Sequence, residues 1–203
     1  MNIFYLHTDT EIAAAYHCDK HVVKMIVEYA QILSTAHRVL DGQMTQVILP
    51  SGRKSKRYIL DDVELNDNLY LATHINHPSV IWARSSLSNY RWLLSLLEKC
   101  LKQYFIRYGK IHKTQSILHL LQKFPNHIKV TMGMTAPPLC MPDKYKMENP
   151  VASYRLFYIQ EKRHFAKWKP PTKTPDWFLF GKWITTPIDN TLNNNLEVQF
   201  AHI

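Results

Sequence analysis

Apolar residues recur at helical spacing through the first part of the chain. Between Ala13 and Gly42 they form one stripe, composed of Cys18, Val22, Met25, Ile26, Tyr29, Leu33 and Ala36. Residues three and four positions apart share a helix face, so the stripe predicts a face buried against the rest of the fold. Thr8 or Thr10 suits the first cap and Gly42 suits a left-handed end, which together predict one long helix.

The opposite face of this predicted helix is polar. Its members step by four, three, four, three and four positions, and they are His17, His21, Lys24, Glu28, Gln31 and Thr35. The line combines imidazoles, an amine and a carboxylate, the groups that acid-base and amine chemistry use. The candidate catalytic residues are therefore Glu28, Lys24, His21 and His17. The alternative is an exposed Lys24–Glu28 pair, flanked by histidines on a wet surface, in which the lysine-first order adds little stability.

Weaker patterns along the rest of the chain predict shorter elements. An apolar, β-prone segment opens the chain at residues 2–6, and Pro50-Ser51-Gly52 between two apolar triplets predicts a hairpin or an irregular loop. Three more helices are predicted, at residues 79–108, 114–124 and 151–168. The stretch 128–150 has no periodic pattern, and we expect a long functional or mobile loop there.

These elements predict a mainly α protein. We expect a single compact helical domain with a long first helix, a small β or irregular hairpin and long proline-rich loops. The 203 residues suit one domain, with a body over 1–185, in which the aromatic segment near the end packs back, and a frayed tail over 186–203. No apolar run reaches the roughly 20 residues that span a bilayer, so no membrane association is expected.

Charge and cysteine usage narrow the function classes. Lysine and arginine total 25 against 16 aspartate and glutamate, a formal charge of +9. Such an excess favours a polyanionic partner, and DNA is the first candidate. The cysteines Cys18, Cys100 and Cys140 are widely spaced and include no CxxC pair, which indicates a reducing, cytoplasmic compartment and no structural zinc site.

Cations lie together with polar and aromatic side chains in several segments. A basic loop and a His-Asn-His-Pro helix entry suit phosphates, and an aromatic-basic last helix suits unpaired bases. The candidate nucleic-acid-binding residues are Lys20, Arg53, Lys54, Lys56, Arg57, His74, Asn76, His77, Arg84, Lys110, Lys113, Tyr154, Tyr158, Lys162, Arg163, Lys167 and Trp168.

A metal-dependent hydrolase is one alternative. His17 and His21 have the spacing of two ligands on one helix face, and Glu28 or a histidine from His74 to His77 would complete the set. The carboxylate that zinc hydrolases place between two such histidines is missing. We therefore predict neither a metal nor a cofactor.

Asp19-Lys20-His21, followed by Glu28 seven residues after the histidine and by an ungapped aliphatic pattern, resembles the catalytic helix of the phage pyrimidine-dimer DNA glycosylases, the endonuclease V family. The aromatic segment from Pro175 to Lys182 is similar to the family's C-terminal end. The resemblance implies a compact helical protein that kinks duplex DNA and acts on a damaged or modified pyrimidine. It also implies that Glu28 assists attack on the sugar C1′, in a phage-infected bacterial cell.

One departure from the family concerns the nucleophile. The family uses an exposed N-terminal α-amine that follows removal of Met, whereas here the large Asn2 is expected to retain Met1. Glu28 therefore carries over and the α-amine does not. If an imine forms, Lys24 or Lys20 is expected to supply the amine.

The leading hypothesis is a monomeric DNA-acting enzyme on a flipped pyrimidine, glycosylase-like, with or without a lyase step. Two alternatives stay open. The segment YHCDKHVVKM also resembles phage proteins encoded beside DNA-modification genes, which implies a transferase that hypermodifies 5-hydroxymethylpyrimidine in DNA. A non-enzymatic nucleic-acid binding protein explains the charge and the aromatic residues equally well.

Overall fold

The computed structural model describes residues 1–181, and most of its regular structure is α-helical. The helices are α1 (Thr10–Tyr16), α2 (Asp19–Asp41), α3 (Val63–Asn68), α4 (Pro78–Ser85), α5 (Leu87–Tyr108), α6 (Leu118–Leu121), α7 (Pro150–Lys162) and α8 (Asp176–Phe180). The other elements are an antiparallel pair, β1 (Gln43–Ile48) and β2 (Lys54–Ile59), and two 3₁₀ helices, Lys113–Ile117 and Asp143–Tyr145. The prediction of a mainly α protein with a small hairpin is confirmed.

Helix α2 lies in the centre of the core. It packs against α4 and α5, and α5 also packs against α1. Arg107 near the end of α5 contacts Asp19 at the start of α2, while Tyr90 near the start of α5 contacts His37 near the end of α2, so the two helices are antiparallel. The predicted apolar stripe of α2 is buried along its whole length, which confirms that face.

The N-terminal segment enters the core in an extended conformation. Residues 3–6 are buried. The backbone N–H of Phe4 donates to the hydroxyl of Tyr29 in α2, and the Phe4 ring meets Tyr154 and Tyr158 of α7 edge-on. The segment therefore lies between α2 and α7, and this placement fixes where Met1 and Asn2 sit.

The predicted single first helix is wrong, because the chain forms two helices there. α1 begins after Asp9, which caps it, and the backbone is extended at both His17 and Cys18. Arg107 of α5 stabilises the break by donating to the carbonyls of Ala15 (3.0 Å) and His17 (2.8 Å). These carbonyls would otherwise lack partners at the end of a helix.

Gly42 ends α2 as predicted, but not in the left-handed conformation. Its φ is −91° and its ψ is 150°. A Cβ atom at this position would lie 2.5 Å from the carbonyl oxygen of Arg38 and 3.2 Å from that of Ile59. Glycine is thus required mainly because the last turn of α2 leaves no room for a Cβ atom, with β2 as a second, looser contact, since the backbone angles themselves suit other residues.

The second long helix, predicted over 79–108, is also divided. The backbone is extended at Ser86, whose hydroxyl accepts the N–H three residues later and caps α5. His77 caps α4, which begins at Pro78, one residue before the predicted start. α5 ends as predicted at Gly109, which is left-handed with a φ of 63°.

Two other predicted helices are too long. The segment 114–124 forms a 3₁₀ helix followed by the single turn of α6, and Phe124 has a φ of 41°, outside the helical region. The last predicted helix, 151–168, begins at Pro150 and ends at Lys162. The chain then turns, because the N–H groups of residues 165 and 166 return to the carbonyl of Lys162.

The predicted hairpin is confirmed. Pro50, Ser51 and Gly52 form its turn, in which the N–H of Gly52 donates to Leu49 O (2.8 Å) and the N–H of Leu49 donates to Arg53 O (2.9 Å). Gly52 has a φ of 77°, the left-handed conformation that a three-residue hairpin turn requires at this position.

A buried arginine of α2 attaches the hairpin to the body. Arg38 is 1% exposed, and its guanidinium donates to four carbonyl oxygens, those of Tyr58, Asn66, Leu69 and Tyr70, at 2.7 to 2.9 Å. These hydrogen bonds connect α2 to β2, to the end of α3 and to the two residues that follow α3.

Near the end of the described chain, Trp177 and Phe178 of α8 are buried, as the predicted return of the aromatic segment requires. The predicted loop 128–150 contains the 3₁₀ helix Asp143–Tyr145 as its regular structure before α7. Within residues 1–181 no helix is both long and apolar enough to cross a bilayer. The predicted tail, 186–203, lies outside the described residues, as does Lys182.

Candidate active site

Glu28 lies on the surface of α2 with a cation near each carboxylate oxygen. Lys24 Nζ is 3.2 Å from Oε1, and the α-amine of Met1 is 4.0 Å from Oε2. The backbone N–H of Asn2 also donates to Oε2, at 3.1 Å. The Glu28 side chain is 15% exposed while that of Lys24 is 70% exposed, so the carboxylate is held and the lysine faces solvent.

The position of the chain start beside Glu28 depends on Asn2. Its Oδ1 accepts from the N–H of Ile3 (2.8 Å) and contacts the hydroxyl of Tyr154 (3.0 Å), and its Nδ2 donates to the carbonyl of Cys140 (3.0 Å). The side chain of Met1 is almost fully buried. Asn2 is therefore held by α2, by α7 and by the loop that contains Cys140, and these contacts fix the position of the adjacent Met1 α-amine.

A second segment lies along the same face of α2, two helical turns beyond Glu28. The hydroxyl of Thr35 donates to Gln31 O (2.7 Å) and accepts the N–H of Thr73 (3.2 Å). Arg84 of α4 donates to Ile75 O (2.7 Å) from the other side. These contacts fix the loop 73–77, which carries the predicted residues His74 and Asn76, both exposed, and His77, which is half-buried.

His77 lies at the edge of the Glu28 cluster. Its Nδ1 accepts the N–H of Ser79 (3.2 Å) and caps α4, which leaves Nε2 as the nitrogen that carries the proton in the neutral ring. Burial lowers the pKa of His77, and the positive Met1 amine and His74 lower it further, whereas Glu28 raises it. The charges of Met1 and Glu28 therefore act on the His77 ring in opposite directions.

His17 is placed differently from its prediction as a catalytic group. The ring is fully buried, its Nδ1 bonds Ala13 O (2.7 Å), and its Nε2 bonds the hydroxyl of Tyr29 (2.6 Å). Since a carbonyl can only accept, Nδ1 carries the proton and Tyr29 donates to Nε2. Burial lowers the pKa of His17 to about 4, so it is a neutral core residue with no nitrogen open to a substrate.

His21 is also mostly part of the core. Its Nδ1 bonds the hydroxyl of Tyr158 (2.7 Å), and its ring stacks on Phe4 with 4.4 Å between centroids. Burial lowers the pKa of His21 to about 3, and the charges of Lys162 and Lys24 act in the same direction. The predicted polar line therefore has two parts. His17, which precedes α2, and His21 are buried in the core, and Lys24 and Glu28 form the candidate site.

The basic residues of the hairpin lie at the surface. Arg53, Lys54 and Lys56 are exposed, and Arg57 is half-buried with its Nη1 bonded to Ser55 Oγ at 2.9 Å. The hairpin is attached to α2, because Arg38 donates to the carbonyl of Tyr58 (2.8 Å), and Glu28 lies on the same helix.

The predicted stacking surface on the last helix needs correction. Tyr154 and Tyr158 are fully buried, and Trp168 is 9% exposed with its Nε1 bonded to Tyr16 O. The two tyrosine rings pack between α7, the N-terminal segment and α2, and the Trp168 ring packs against Phe178 of α8, so none of the three is available to bases. The cations of this segment remain accessible: Lys162 is half-buried over the Phe157 ring, and Arg163 and Lys167 are exposed.

Three other predicted cations lie away from Glu28. Lys20 is exposed with its Nζ 5.1 Å from the centre of the Phe165 ring. Lys110 and Lys113 are exposed, just after α5 and at the start of the first 3₁₀ helix. Among the described residues, no contact links Lys110 or Lys113 to the Glu28 cluster.

His17 and His21, the pair of ligands in the metal-site hypothesis, do not form a metal site. Both ring nitrogens of His17 are occupied by Ala13 and Tyr29. Within residues 1–181, no group of three or more histidine, cysteine, aspartate or glutamate side chains is arranged to hold a metal ion. The structure therefore gives the hydrolase alternative no ligand set.

Comparisons with known proteins place this chain in no family. No family model matches it, and neither the curated proteins nor the solved structures include a significant match.

The sequence pattern did not predict that Met1 and Asn2 are part of the candidate site. Met1 and Asn2 reach Glu28 across more than twenty positions of sequence, through the packing of residues 3–6. One local signal was present, since Asn2 is a polar residue at the head of an apolar segment. Cys140, which fixes the Asn2 amide, had no signal at all.

Proposed function

We propose that this protein is a DNA-acting enzyme that works on a flipped, damaged or modified pyrimidine in the manner of a DNA glycosylase. The observation that carries the proposal is the held carboxylate of Glu28 with an amine beside each oxygen, Lys24 Nζ at 3.2 Å and the Met1 α-amine at 4.0 Å. A carboxylate in this position can take a proton from a nucleophile as it attacks, and a neighbouring ammonium can stabilise negative charge on a leaving group.

One route uses water as the nucleophile. Glu28 takes a proton from a water molecule as the water oxygen forms a bond to C1′ of the sugar. The bond between C1′ and the base nitrogen breaks, and its electron pair leaves with the base, which takes up a proton. Lys24 stabilises the charge on the departing base, and the Nε2–H of neutral His77 can donate to a base carbonyl.

The other route uses an amine. An uncharged amine beside Glu28 bonds to C1′ as the bond between C1′ and the base nitrogen breaks. The electron pair of that bond leaves with the base, which takes up a proton, and Glu28 accepts the proton that the amine loses. The bond between C1′ and O4′ then breaks, the nitrogen lone pair forms the double bond of a protonated imine, and O4′ takes up the proton from Glu28. Two amines contact Glu28, that of Met1 and that of Lys24, and the position of the Met1 amine makes it a candidate again even though the sequence argued against it.

DNA as the partner is supported by the charge and by where the cations lie. The chain carries a formal charge of +9. Lys24 pairs with Glu28, and further cations are accessible on the hairpin and at the end of α7, namely Arg53, Lys54, Lys56, Lys162, Arg163 and Lys167. Such cations can hold a DNA backbone while a carboxylate acts on one nucleotide.

The experiment is borohydride trapping on duplex DNA that carries an abasic site, a cyclobutane dimer or 5-hydroxymethyluracil. Under the amine route we expect a covalent adduct, and peptide mapping assigns it to Met1, Lys24 or Lys20. Base release without an adduct supports the water route. With neither adduct nor release on any of the three substrates, the glycosylase proposal fails, and the transferase or binding alternatives take its place.

A further inference from the structure

The hairpin presents one face to solvent along its whole length. In the β1–β2 register, Met44 lies opposite Tyr58, Gln46 opposite Lys56, and Ile48 opposite Lys54. Successive side chains of a strand alternate between faces, so these six share one face. Five of the six are exposed, and the sixth, Tyr58, is half-buried where the hairpin meets the body.

The other face is less exposed. Its six residues divide into three that are half-buried, Val47, Ser55 and Arg57, and three that are exposed, Gln43, Thr45 and Ile59. The face that includes Gln46 and Lys56 is therefore the more exposed of the two.

We propose that the exposed face of the hairpin enters the major groove of duplex DNA, with Gln46 and Lys56 at base edges and with Arg53 and Lys54 at phosphates. This inference rests on the proposed function only in taking DNA as the partner. It does not depend on the chemistry at Glu28.

The positive charge of the hairpin favours a polyanionic partner. Residues 43–60 include four cations, Arg53, Lys54, Lys56 and Arg57, and no aspartate or glutamate. An exposed, uncompensated positive surface favours a polyanion because binding releases the counterions of the nucleic acid.

The dimensions of the hairpin and the side chains on its exposed face favour duplex DNA over a single strand, and the major groove over the minor groove. Strands of six residues span about 20 Å at about 3.3 Å per residue. A two-stranded ribbon fits the major groove, about 12 Å wide, whereas the minor groove is only about 6 Å wide. Gln can pair with adenine and Lys with guanine at that edge. Single strands are instead held by stacking, and Tyr58, half-buried at the base, is the one aromatic residue of the face.

Position also fits the proposed reaction. Arg38 of α2 donates to the carbonyl of Tyr58 at the base of the hairpin (2.8 Å), and Glu28 lies on the same helix. The hairpin is therefore attached to the helix that carries the candidate active site. A ribbon held in the groove next to the reacting nucleotide would keep the duplex in register while the base is out of the stack.

The test compares binding of variants to a duplex that contains a tetrahydrofuran abasic analogue, measured by fluorescence anisotropy over a series of salt concentrations. We expect Arg53→Ala/Lys54→Ala to bind at least about tenfold more weakly and to reduce the salt slope by about 2, since each lost phosphate contact removes about 0.9. Gln46→Ala should weaken binding with no change in slope. Arg53→Lys/Lys54→Arg should retain the affinity.

The matched control is Lys99→Ala/Lys102→Ala, which removes the same charge from two lysines that pair with Glu11 on the surface of α1 and α5. Its salt slope should equal that of the unmodified protein. If the hairpin and control variants lose affinity and slope equally, net charge alone explains the binding and the inference is overturned.

Dimethyl sulfate footprinting identifies the groove, because guanine N7 lies in the major groove and adenine N3 in the minor. We expect protection of guanine N7 that disappears in the Gln46→Ala/Lys56→Ala variant. Protection confined to adenine N3, or single-stranded DNA bound as tightly as duplex, overturns the inference.

The outcomes separate this inference from the proposed function. Hairpin-dependent duplex binding by a protein that releases no base supports the inference and removes the glycosylase. Base release that is insensitive to the hairpin variants supports the glycosylase and removes the inference. Circular dichroism melting of each variant checks that the exposed substitutions leave the fold intact.

Discussion

At the scale of single residues, Glu28 carries the proposed chemistry and is expected to contribute little to DNA binding. We expect Glu28→Gln to lower turnover by about 10²- to 10⁴-fold, the range for loss of a positioned acid-base group. DNA affinity should stay the same or rise slightly, since the change removes a negative charge near phosphates. The measurement pairs a base-release assay with anisotropy on the same duplex.

Glu148→Gln is the matched control for that experiment. Glu148 is exposed in the loop before α7 and forms no described contact with the Glu28 cluster. The Glu148→Gln variant should have the same turnover and the same DNA affinity as the unmodified protein. Parallel loss of binding and turnover in Glu28→Gln would contradict the assignment, because it would indicate a structural role.

Spacing alone identified part of the candidate site. Lys24 and Glu28 are one helical turn apart, and their contact is a local property of α2 that any four-residue step predicts. His17 satisfied the same spacing but lies beyond the helix break, in the core. The α-amine of Met1 could not be predicted, because its position depends on the packing of the N-terminal segment between distant helices.

At the scale of elements, the break between α1 and α2 depends on one buried side chain of α5. Arg107 bonds the carbonyls of Ala15 and His17 and pairs with Asp19 at 3.0 Å. Arg107→Ala leaves a carboxylate and two carbonyls without these donors, so we expect a loss of about 3–5 kcal/mol in the free energy of unfolding. Urea denaturation measures it.

Arg163→Ala provides the comparison, since Arg163 is exposed after α7. It should change the free energy of unfolding by less than about 0.5 kcal/mol. Similar effects of the two substitutions would show that Arg107 does not hold the helix junction.

The second break depends on a cap. Ser86 begins α5 by accepting the N–H of Asn89 at 3.2 Å, and its side chain is buried. We expect Ser86→Ala to cost about 1 kcal/mol, the usual effect of removing an N-cap hydroxyl. Thermal melting followed by circular dichroism checks this value, and Ser51→Ala in the exposed hairpin turn should leave the melting temperature unchanged.

These elements show which boundaries a sequence can reveal. Pro50-Ser51-Gly52 and Gly109 gave correct boundaries because glycine and proline act through their own backbone angles. Both helix breaks went unpredicted because the residues there are ordinary helix formers or polar residues. Arg107, 90 positions after His17, supplies the bonds that stabilise one of them.

At the scale of the whole molecule, buried neutral histidines make stability depend on pH. Burial lowers the pKa of His17 and His37 to about 4 and that of His21 to about 3. In the unfolded chain they titrate near 6.5, so below that pH the unfolded state binds more protons. Their contribution is complete above about pH 6.5 and is lost as the pH falls towards 4.

We therefore expect the urea midpoint to fall between pH 7 and pH 5, with each histidine subtracting up to about 1.4 kcal/mol per pH unit. His17→Gln removes one titrating group while keeping a donor and an acceptor, so its midpoint should change less over the same interval. An identical pH dependence in the two proteins would contradict the assignment of His17 as a neutral core residue.

The hairpin that carries the cations also has two unpaired edges, since its sheet contains β1 and β2 alone among the described strands. Free strand edges are templates for pairing with another copy of the same chain, and like charge on both copies opposes that pairing. We therefore expect Lys54 and Lys56 to oppose self-association of the isolated protein at the same place where it is proposed to meet DNA. Concentrated protein in high salt, where this repulsion is screened, should aggregate through the hairpin first, and excess duplex should prevent it.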